Sequence, residues 1–270
     1  AGPKAAARAR RLLPTAAITM VETGQTISYA SCGLPLLLAG MVRDPRHLTT
    51  TSYGVARDSE YFLREKNIEV LTGSLAQNVD RANREVTVWR AGSGATVTLP
   101  YYDLVLATGA KPKLPPIPGL ELTGVTTMRR VEDAVSVWEA LKTGIDNVVI
   151  VGAGLIGLEM AEALARGKRS VVVIEREKQV LPGVLDSELA ALVHDHLTRC
   201  RVKVLCGESV TGLEGDAEGR VRRVATTAGD FDAGLVVVAG GVSPNVELAQ
   251  GAGLAIGRTG AIAVDDRLLT

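Results

Sequence analysis

The chain has 270 residues, with 30 Lys+Arg against 30 Asp+Glu, 46% apolar residues and 3 cysteines. That composition supports one large or two ordinary domains, and the balanced charge argues against a nucleic-acid or anionic-membrane surface, which needs a clustered basic excess. No apolar run reaches the roughly 18 residues of a membrane span, AGPKAAARARRLLP lacks the apolar centre of a secretory signal, and an odd number of cysteines at unrelated spacings makes no disulfide framework, so a reducing cytoplasm is the expected location.

The opening stretch is an Ala- and Arg-rich helix, with Arg8, Arg10 and Arg11 on a solvated face. ITMVE, Ile18 to Glu22, then reads as a strand ending in an acid. With Gly2 as a third glycine, this is the second half of a dinucleotide-binding βαβ unit. Its first strand and first two glycines would lie upstream, so the sequence reads as a piece of a longer chain. Next, ISYASCGLPLLLAG places Cys32 ahead of Gly-Leu-Pro at the head of an apolar segment spanning 27–40. A thiol near a helix N-terminus is favoured as thiolate by free N–H groups and the dipole, which makes Cys32 a candidate redox nucleophile. A buried, inert cysteine is the plain alternative.

DSEYFLREK, Asp58 to Lys66, is a capped amphipathic helix with Asp58 or Ser59 as N-cap. IEVLTG, EVTVWR and ATVTLP are short strands with a hairpin at Gly92-Ser93-Gly94. YYDLVLATGAKP, Tyr101 to Pro112, reads as a strand running into Ala-Thr-Gly, and the proline-rich KPKLPPIPGL is a connector and domain boundary. A helix follows from about Val131 to Lys142, with Gly144 near its C-cap.

Asn147 to Glu175, NVVIVGAGLIGLEMAEALARGKRSVVVIE, is a complete βαβ unit. An apolar run enters a glycine turn, and the periodicity then becomes helical. Gly152 allows the tight turn, Gly154 lets backbone approach a pyrophosphate, and Gly157 lets helix pack on strand. A pyrophosphate would sit at the helix N-terminus. Glu175 closes the second strand, where an acid accepts hydrogen bonds from an adenosine ribose. NADH is the expected ligand, and NADPH the second choice, because Glu175 repels a 2′-phosphate and Arg176 partly offsets it. Downstream, a helix capped near Asp186 or Ser187 carries His194 and His196, whose spacing points them to different faces. Cys200 and Cys206 lack a CxxC partner and read as packing residues, so no metal site is expected. VKVLC, VRRVATTAG and AGLVVVAGG supply further strands.

Taken together, SYASCGLP, YDLVLATGAKP, IVGAGLIGLEMAEAL, VVVAGGVSPN and GAIAVDDRLLT resemble the two-dinucleotide-fold flavoprotein reductases. Within them they resemble the single-cysteine branch of coenzyme A-disulfide reductases, NADH oxidases and peroxidases, and NADH-dependent persulfide reductases. No second cysteine follows Cys32 five positions on, where Leu37 stands.

The resemblance implies an α/β fold of two Rossmann-like three-layer dinucleotide-binding domains, an FAD domain (1–113 and 241–270) split around an inserted NAD(P)H domain (114–240). It implies FAD as cofactor, Glu22 on its adenosine ribose, Cys32 facing the flavin, and Thr108 and Gly109 near the FAD. Arg129 and Asp133 match an Arg-x-x-x-Asp region. Glu159 lies near the flavin–nicotinamide junction, and Pro244-Asn245 mark the return into the FAD domain. It also implies a homodimer in the full-length protein. Electrons would pass from NADH through FAD to Cys32 and on to a small disulfide, persulfide, peroxide or oxygen, with a coenzyme A derivative favoured. Ser31 and Leu36 replace the family's Asn and aromatic, which leaves acceptor recognition open. Two other functions are weighed: a reductase feeding a small ferredoxin- or rubredoxin-type protein directly from flavin, which needs no cysteine, and a nucleotide-binding module without turnover.

Overall fold

The computed structural model describes all 270 residues. The helix α1 (Gly2–Leu12) carries Pro3 in its first turn, where a missing N–H leaves no hydrogen bond unmade. Its last turn is tied down by Arg10, which donates to the carbonyls of Lys66, Asn67 and Pro14 at 3.1, 2.5 and 2.8 Å. The strand β1 (Thr19–Val21) follows, then a 3-10 turn (Ser31–Gly33), the helix α2 (Leu34–Leu38) and a second 3-10 turn (Pro45–Leu48). In α3 (Ser59–Lys66) the N-cap is Asp58, whose carboxylate accepts the Tyr61 N–H at 2.8 Å, and the helix ends where Asn67 turns left-handed at φ 50°. The strands β2 (Glu69–Leu71), β3 (Ser74–Asp80), β4 (Glu85–Arg90), β5 (Thr96–Pro100), β6 (Ala110–Pro112) and β7 (Val125–Thr126) lead to α4 (Val131–Lys142). Then come β8 (Asn147–Val151), α5 (Leu155–Arg166), β9 (Ser170–Glu175), α6 (Ser187–Arg199) and β10 (Val202–Cys206). The chain finishes with β11 (Val210–Gly215), β12 (Val221–Thr226), β13 (Gly229–Asp232), β14 (Leu235–Val238), β15 (Val242–Pro244) and α7 (Glu247–Gly251).

The chain divides into two compact units, one of residues 1–29, 49–111 and 243–270, the other of 30–48 and 112–242. The second unit holds a five-stranded sheet in the order β10-β9-β8-β14-β7, with every neighbouring pair parallel. Such a sheet must be covered on both faces, and the middles of its central strands β8, β9 and β14 are accordingly runs of Val, Ile and Leu. The helices α5 and α6 pack on it. Val149, Ile174, Val236 and Val238 pack instead against Leu213, Val221, Val224 and Ala233 from the antiparallel layer β11-β12-β13. Helices, parallel sheet and antiparallel layer thus form three layers around one core.

The first unit repeats the plan on a smaller scale. β1 and β2 pair in parallel, with Met20 and Val70 packed on Ile27, Phe62 and Ile68. The antiparallel sheet β3-β4-β5 encloses Val79, Val86 and Val88, against which Val21, Leu248 and Ala252 pack. The fold is α/β with Rossmann-like layering.

In the apolar stretch 27–40 the helix α2 begins at Leu34, just after Cys32, and runs for five residues. Two expectations from sequence need correction. Residues 30–48, expected within the first domain, belong to the second unit, because Leu34, Leu37 and Leu38 bury their side chains where α2 packs on α4 and α5. Of the strand expected over 101–112, only Ala110–Pro112 forms. The apolar run before it has no neighbouring strand, so Leu104 and Val105 stay 38% and 68% exposed.

Candidate functional site

The glycine turn after β8 carries the clearest geometry. Gly152 has φ 109°, where L side chains are strained, and an added Cβ would lie 2.6 Å from the Ala239 carbonyl oxygen. A Cβ on Gly157 would collide with the Gly152 carbonyl oxygen. Gly154, the N-cap of α5, differs from both: nothing lies within 4 Å of its added Cβ. Two glycines are therefore required by the protein's own packing, and the third faces open space. This is the division of labour a pyrophosphate cradle needs: two residues bring strand and helix together, and one leaves room for the ligand.

Glu175 lies at the end of β9 and is only 7% exposed. Its carboxylate accepts the Ala153 N–H at 2.7 Å and the Glu177 N–H at 2.9 Å. Arg176 projects outward and pairs with Glu177 at 3.3 Å. Across the parallel ladder from Glu175 stands Cys206, whose thiol is pushed up by burial and then by the Glu175 charge, so it stays neutral. Glu159 is exposed on α5, one helical turn beyond Leu155, itself exposed.

Cys32 is exposed within the 3-10 turn that enters α2. The helix α2 begins at Leu34, two residues after Cys32, so the thiol stands near a helix N-terminus, and with five residues that helix carries only a short dipole. The following residue is under steric control that sequence reasoning did not identify. A Cβ on Gly33 would lie 2.7 Å from Leu48 Cδ2, and Leu48 is buried. The Ala30 N–H donates to the Leu48 carbonyl at 2.8 Å, which closes the segment between them. The glycine next to the cysteine was the available signal, but Leu48 lies sixteen positions from Cys32 and only folding reveals it.

In the first unit, Glu22 follows β1 and its carboxylate accepts the Gly24 N–H at 2.8 Å. The Ala-Thr-Gly segment and the Pro-Asn turn, 137 residues apart, lock together: Thr108 Oγ1 donates to the Asn245 carbonyl at 2.6 Å, Asn245 Nδ2 donates to the Thr108 carbonyl at 2.9 Å, and the Asn245 N–H donates to Gly109 at 2.9 Å. Asn245→Ala removes one half-buried side-chain bond and leaves the Thr108 carbonyl short of a donor. A loss of about 1 kcal/mol is expected in urea unfolding, and an unchanged midpoint would show the clasp to be dispensable. Gly2 opens α1, and a Cβ there would meet Ala107 at an ordinary 3.6 Å, so packing alone does not demand glycine. Arg129 and Asp133 are explained locally: the Asp133 carboxylate accepts the Arg129 and Arg130 N–H groups at 2.8 and 3.0 Å and starts α4. His196 meets Cys200, the residue that caps the end of α6, at 3.6 Å, while the His194 carbonyl oxygen accepts the Thr198 hydroxyl at 3.0 Å. No group of three His, Cys, Asp or Glu side chains is arranged to hold a metal. No helix is long and apolar enough to cross a membrane.

Comparison with known proteins agrees with this geometry. The chain is 35% identical over 271 residues to an NAD(P)H coenzyme A polysulfide/persulfide reductase of Pyrococcus horikoshii, covering 100% of this chain and 58% of that protein. It is 33% identical over 271 residues to an NADH oxidase of Methanocaldococcus jannaschii, again covering 100% of this chain and 58% of that one. Among solved structures, an NAD-dependent persulfide reductase from A. fulgidus superposes with a TM-score of 0.93 at 44% identity, over 98% of this chain and 48% of that chain. The chain thus spans about half the length of the proteins it matches. The family profile described as pyridine nucleotide-disulphide oxidoreductase matches residues 1–270, and with the glycine turn and its acidic partner strand in place, the chain belongs to that family.

Proposed function

We propose that this chain is the dinucleotide-binding part of a flavin-dependent NAD(P)H oxidoreductase that reduces a small sulfur compound at Cys32. The observation that carries the reading is the open glycine cradle, in which Gly152 and Gly157 admit no other residue and Gly154 faces free space. In this reading the second unit holds NADH, with the pyrophosphate on the N–H groups that begin α5. The first unit holds FAD, with Gly2, Glu22, Thr108 and Gly109 as its partners. In the same reading Glu159 stands at the flavin–nicotinamide junction and Arg129 is a further cofactor-binding residue. FAD, when bound, supplies the group that takes hydride from NADH and returns an electron pair to sulfur.

Cys32 supplies the sulfur chemistry. Its thiolate attacks the inner sulfur of a persulfide RSSH, forming the mixed disulfide Cys32–S–S–R and releasing HS⁻. Two electrons and a proton then return Cys32 to thiolate and free RSH, with NADH oxidised to NAD⁺. A single cysteine suffices because the substrate brings the second sulfur. An exposed thiol accommodates such a partner, and the similarity to coenzyme A persulfide reductases favours coenzyme A as R. Assembly as a homodimer belongs to the same proposal for the full-length protein.

The experiment follows NADH absorbance with the FAD-loaded full-length protein, offering coenzyme A persulfide, coenzyme A disulfide or oxygen alone. Faster consumption with the sulfur acceptors is the expected result. Consumption that oxygen alone sustains in full would assign the chain to the NADH oxidase side of the family.

A further inference from the structure

The end of α6 brings together two side chains to which the sequence assigns no joint role. His196 Nε2 stands 3.6 Å from Cys200 Sγ, at the i, i+4 spacing that puts both on one face of a helix. Cys200 is half-buried and free of any disulfide, and His196 is exposed. Their backbones are joined as well, since the Cys200 N–H donates to the His196 carbonyl at 3.0 Å. The helix itself holds the pair in register.

That separation is the one two ligands take on a single ion. A tetrahedral zinc-type cation with sulfur at about 2.3 Å and imidazole nitrogen at about 2.0–2.1 Å holds those two atoms about 3.5–3.6 Å apart. We propose that His196 and Cys200 form an exchangeable site for a borderline-soft divalent cation of the zinc class, with water in the two remaining positions. On binding, the thiol–imidazole contact gives way: the sulfur releases its proton to solvent, and the thiolate and the Nε2 lone pair each bond to the metal. Sulfur with imidazole selects zinc or cadmium over magnesium and calcium, which take oxygen. Two features beyond the pair favour a cation there. The site lies at the C-terminal end of α6, 13 residues long, where the helix dipole is negative. His196 also lines a groove of about 190 Å³ between α5 and α6, which carries the carboxylates of Glu159 and Glu162 over the buried side chains of Leu158, Leu181 and Leu197. Glu162 shares its charge with Arg166 at 2.8 Å. No third His, Cys, Asp or Glu completes the set, so the ion exchanges with solvent where a four-ligand structural site would retain it.

The test is a calorimetric titration of the FAD-loaded full-length protein, first stripped of metal by a chelator, with Zn²⁺, Cd²⁺ or Mg²⁺, for wild type, Cys32→Ser, Cys200→Ser and His196→Gln. Wild type and Cys32→Ser are expected to bind one Zn²⁺ per chain that Cys200→Ser and His196→Gln bind at least about tenfold more weakly. Cd²⁺ follows the same order and gives a sulfur-to-metal absorption band that Cys200→Ser lacks, while Mg²⁺ does not distinguish the four proteins. Zn²⁺ also raises the wild-type unfolding midpoint more than that of either variant, because the two ligands meet only in the folded helix. His196→Gln alters an exposed side chain and keeps the comparison open should Cys200→Ser fail to fold. Equal zinc affinity in wild type, Cys200→Ser and His196→Gln overturns the proposal. So does loss of the ion in Cys32→Ser, which would place it on the exposed thiol, or its loss in Cys200→Ser with His196→Gln unchanged, which would leave a single sulfur as the ligand.

Discussion

Gly157→Ala is expected to destabilise the protein by about 2 kcal/mol and to abolish NADH binding with it, whereas Gly154→Ala leaves stability intact and still weakens NADH at least about tenfold. The first expectation follows from packing. A methyl at 157 strikes the Gly152 carbonyl oxygen and lies 3.4 Å from Ala239 Cβ, so α5 must move away from the sheet. The turn that presents N–H groups to a phosphate moves with it. The second follows from emptiness. Gly154 has ordinary backbone angles, φ −77° and ψ −178°, and its added methyl meets no protein atom. Only a ligand would be touched. Thermal unfolding and NADH titration on both variants separate the two mechanisms. Unaltered NADH affinity in Gly154→Ala would mean that no phosphate approaches there, and the dinucleotide assignment would fail.

Cys32→Ser is expected to reduce persulfide-dependent NADH consumption in the FAD-loaded full-length protein to its acceptor-free background. A serine hydroxyl forms no sulfur–sulfur bond, so the acceptor cannot be held as a mixed disulfide. The thiol is exposed, and its replacement removes little packing; NADH affinity and the unfolding midpoint are therefore expected to stay at wild-type values. Equal turnover in mutant and wild type, with every acceptor, would replace the thiol mechanism by direct transfer from flavin to acceptor.

The parts of this chain governed by short-range rules were readable in advance. The strand, three glycines, helix and closing acid between Asn147 and Glu175 appear where their spacing placed them. Asp58 caps α3, and α4 begins at Val131. Each depends on neighbours within a few residues, such as a cap, a glycine angle or a helical period. The strand β3 was missed because Gln77 and Asn78 interrupt its alternation at a register shift between Ala76 and Asn78. β11 and β13 were missed because they are edge strands of a small antiparallel layer, with polar and glycine residues on their outer face.

Sequence alone determined the chemistry on offer: a glycine cradle, an acid at the end of the second strand, a single cysteine before Gly-Leu-Pro, and the layered α/β class these belong to. Tertiary structure decided what those groups do to one another. It buried Glu175 and turned both its oxygens onto backbone N–H groups, and it set Leu48 against Gly33, the residue after Cys32. It joined Thr108 to Asn245 across 137 residues, and it left Leu104 and Val105 without the neighbouring strand that their apolar pattern implies. The physical reason is the range of the interactions. Backbone angles and helical periods are written in consecutive residues, whereas burial, hydrogen-bond saturation and strand pairing depend on residues that become neighbours only when the chain folds.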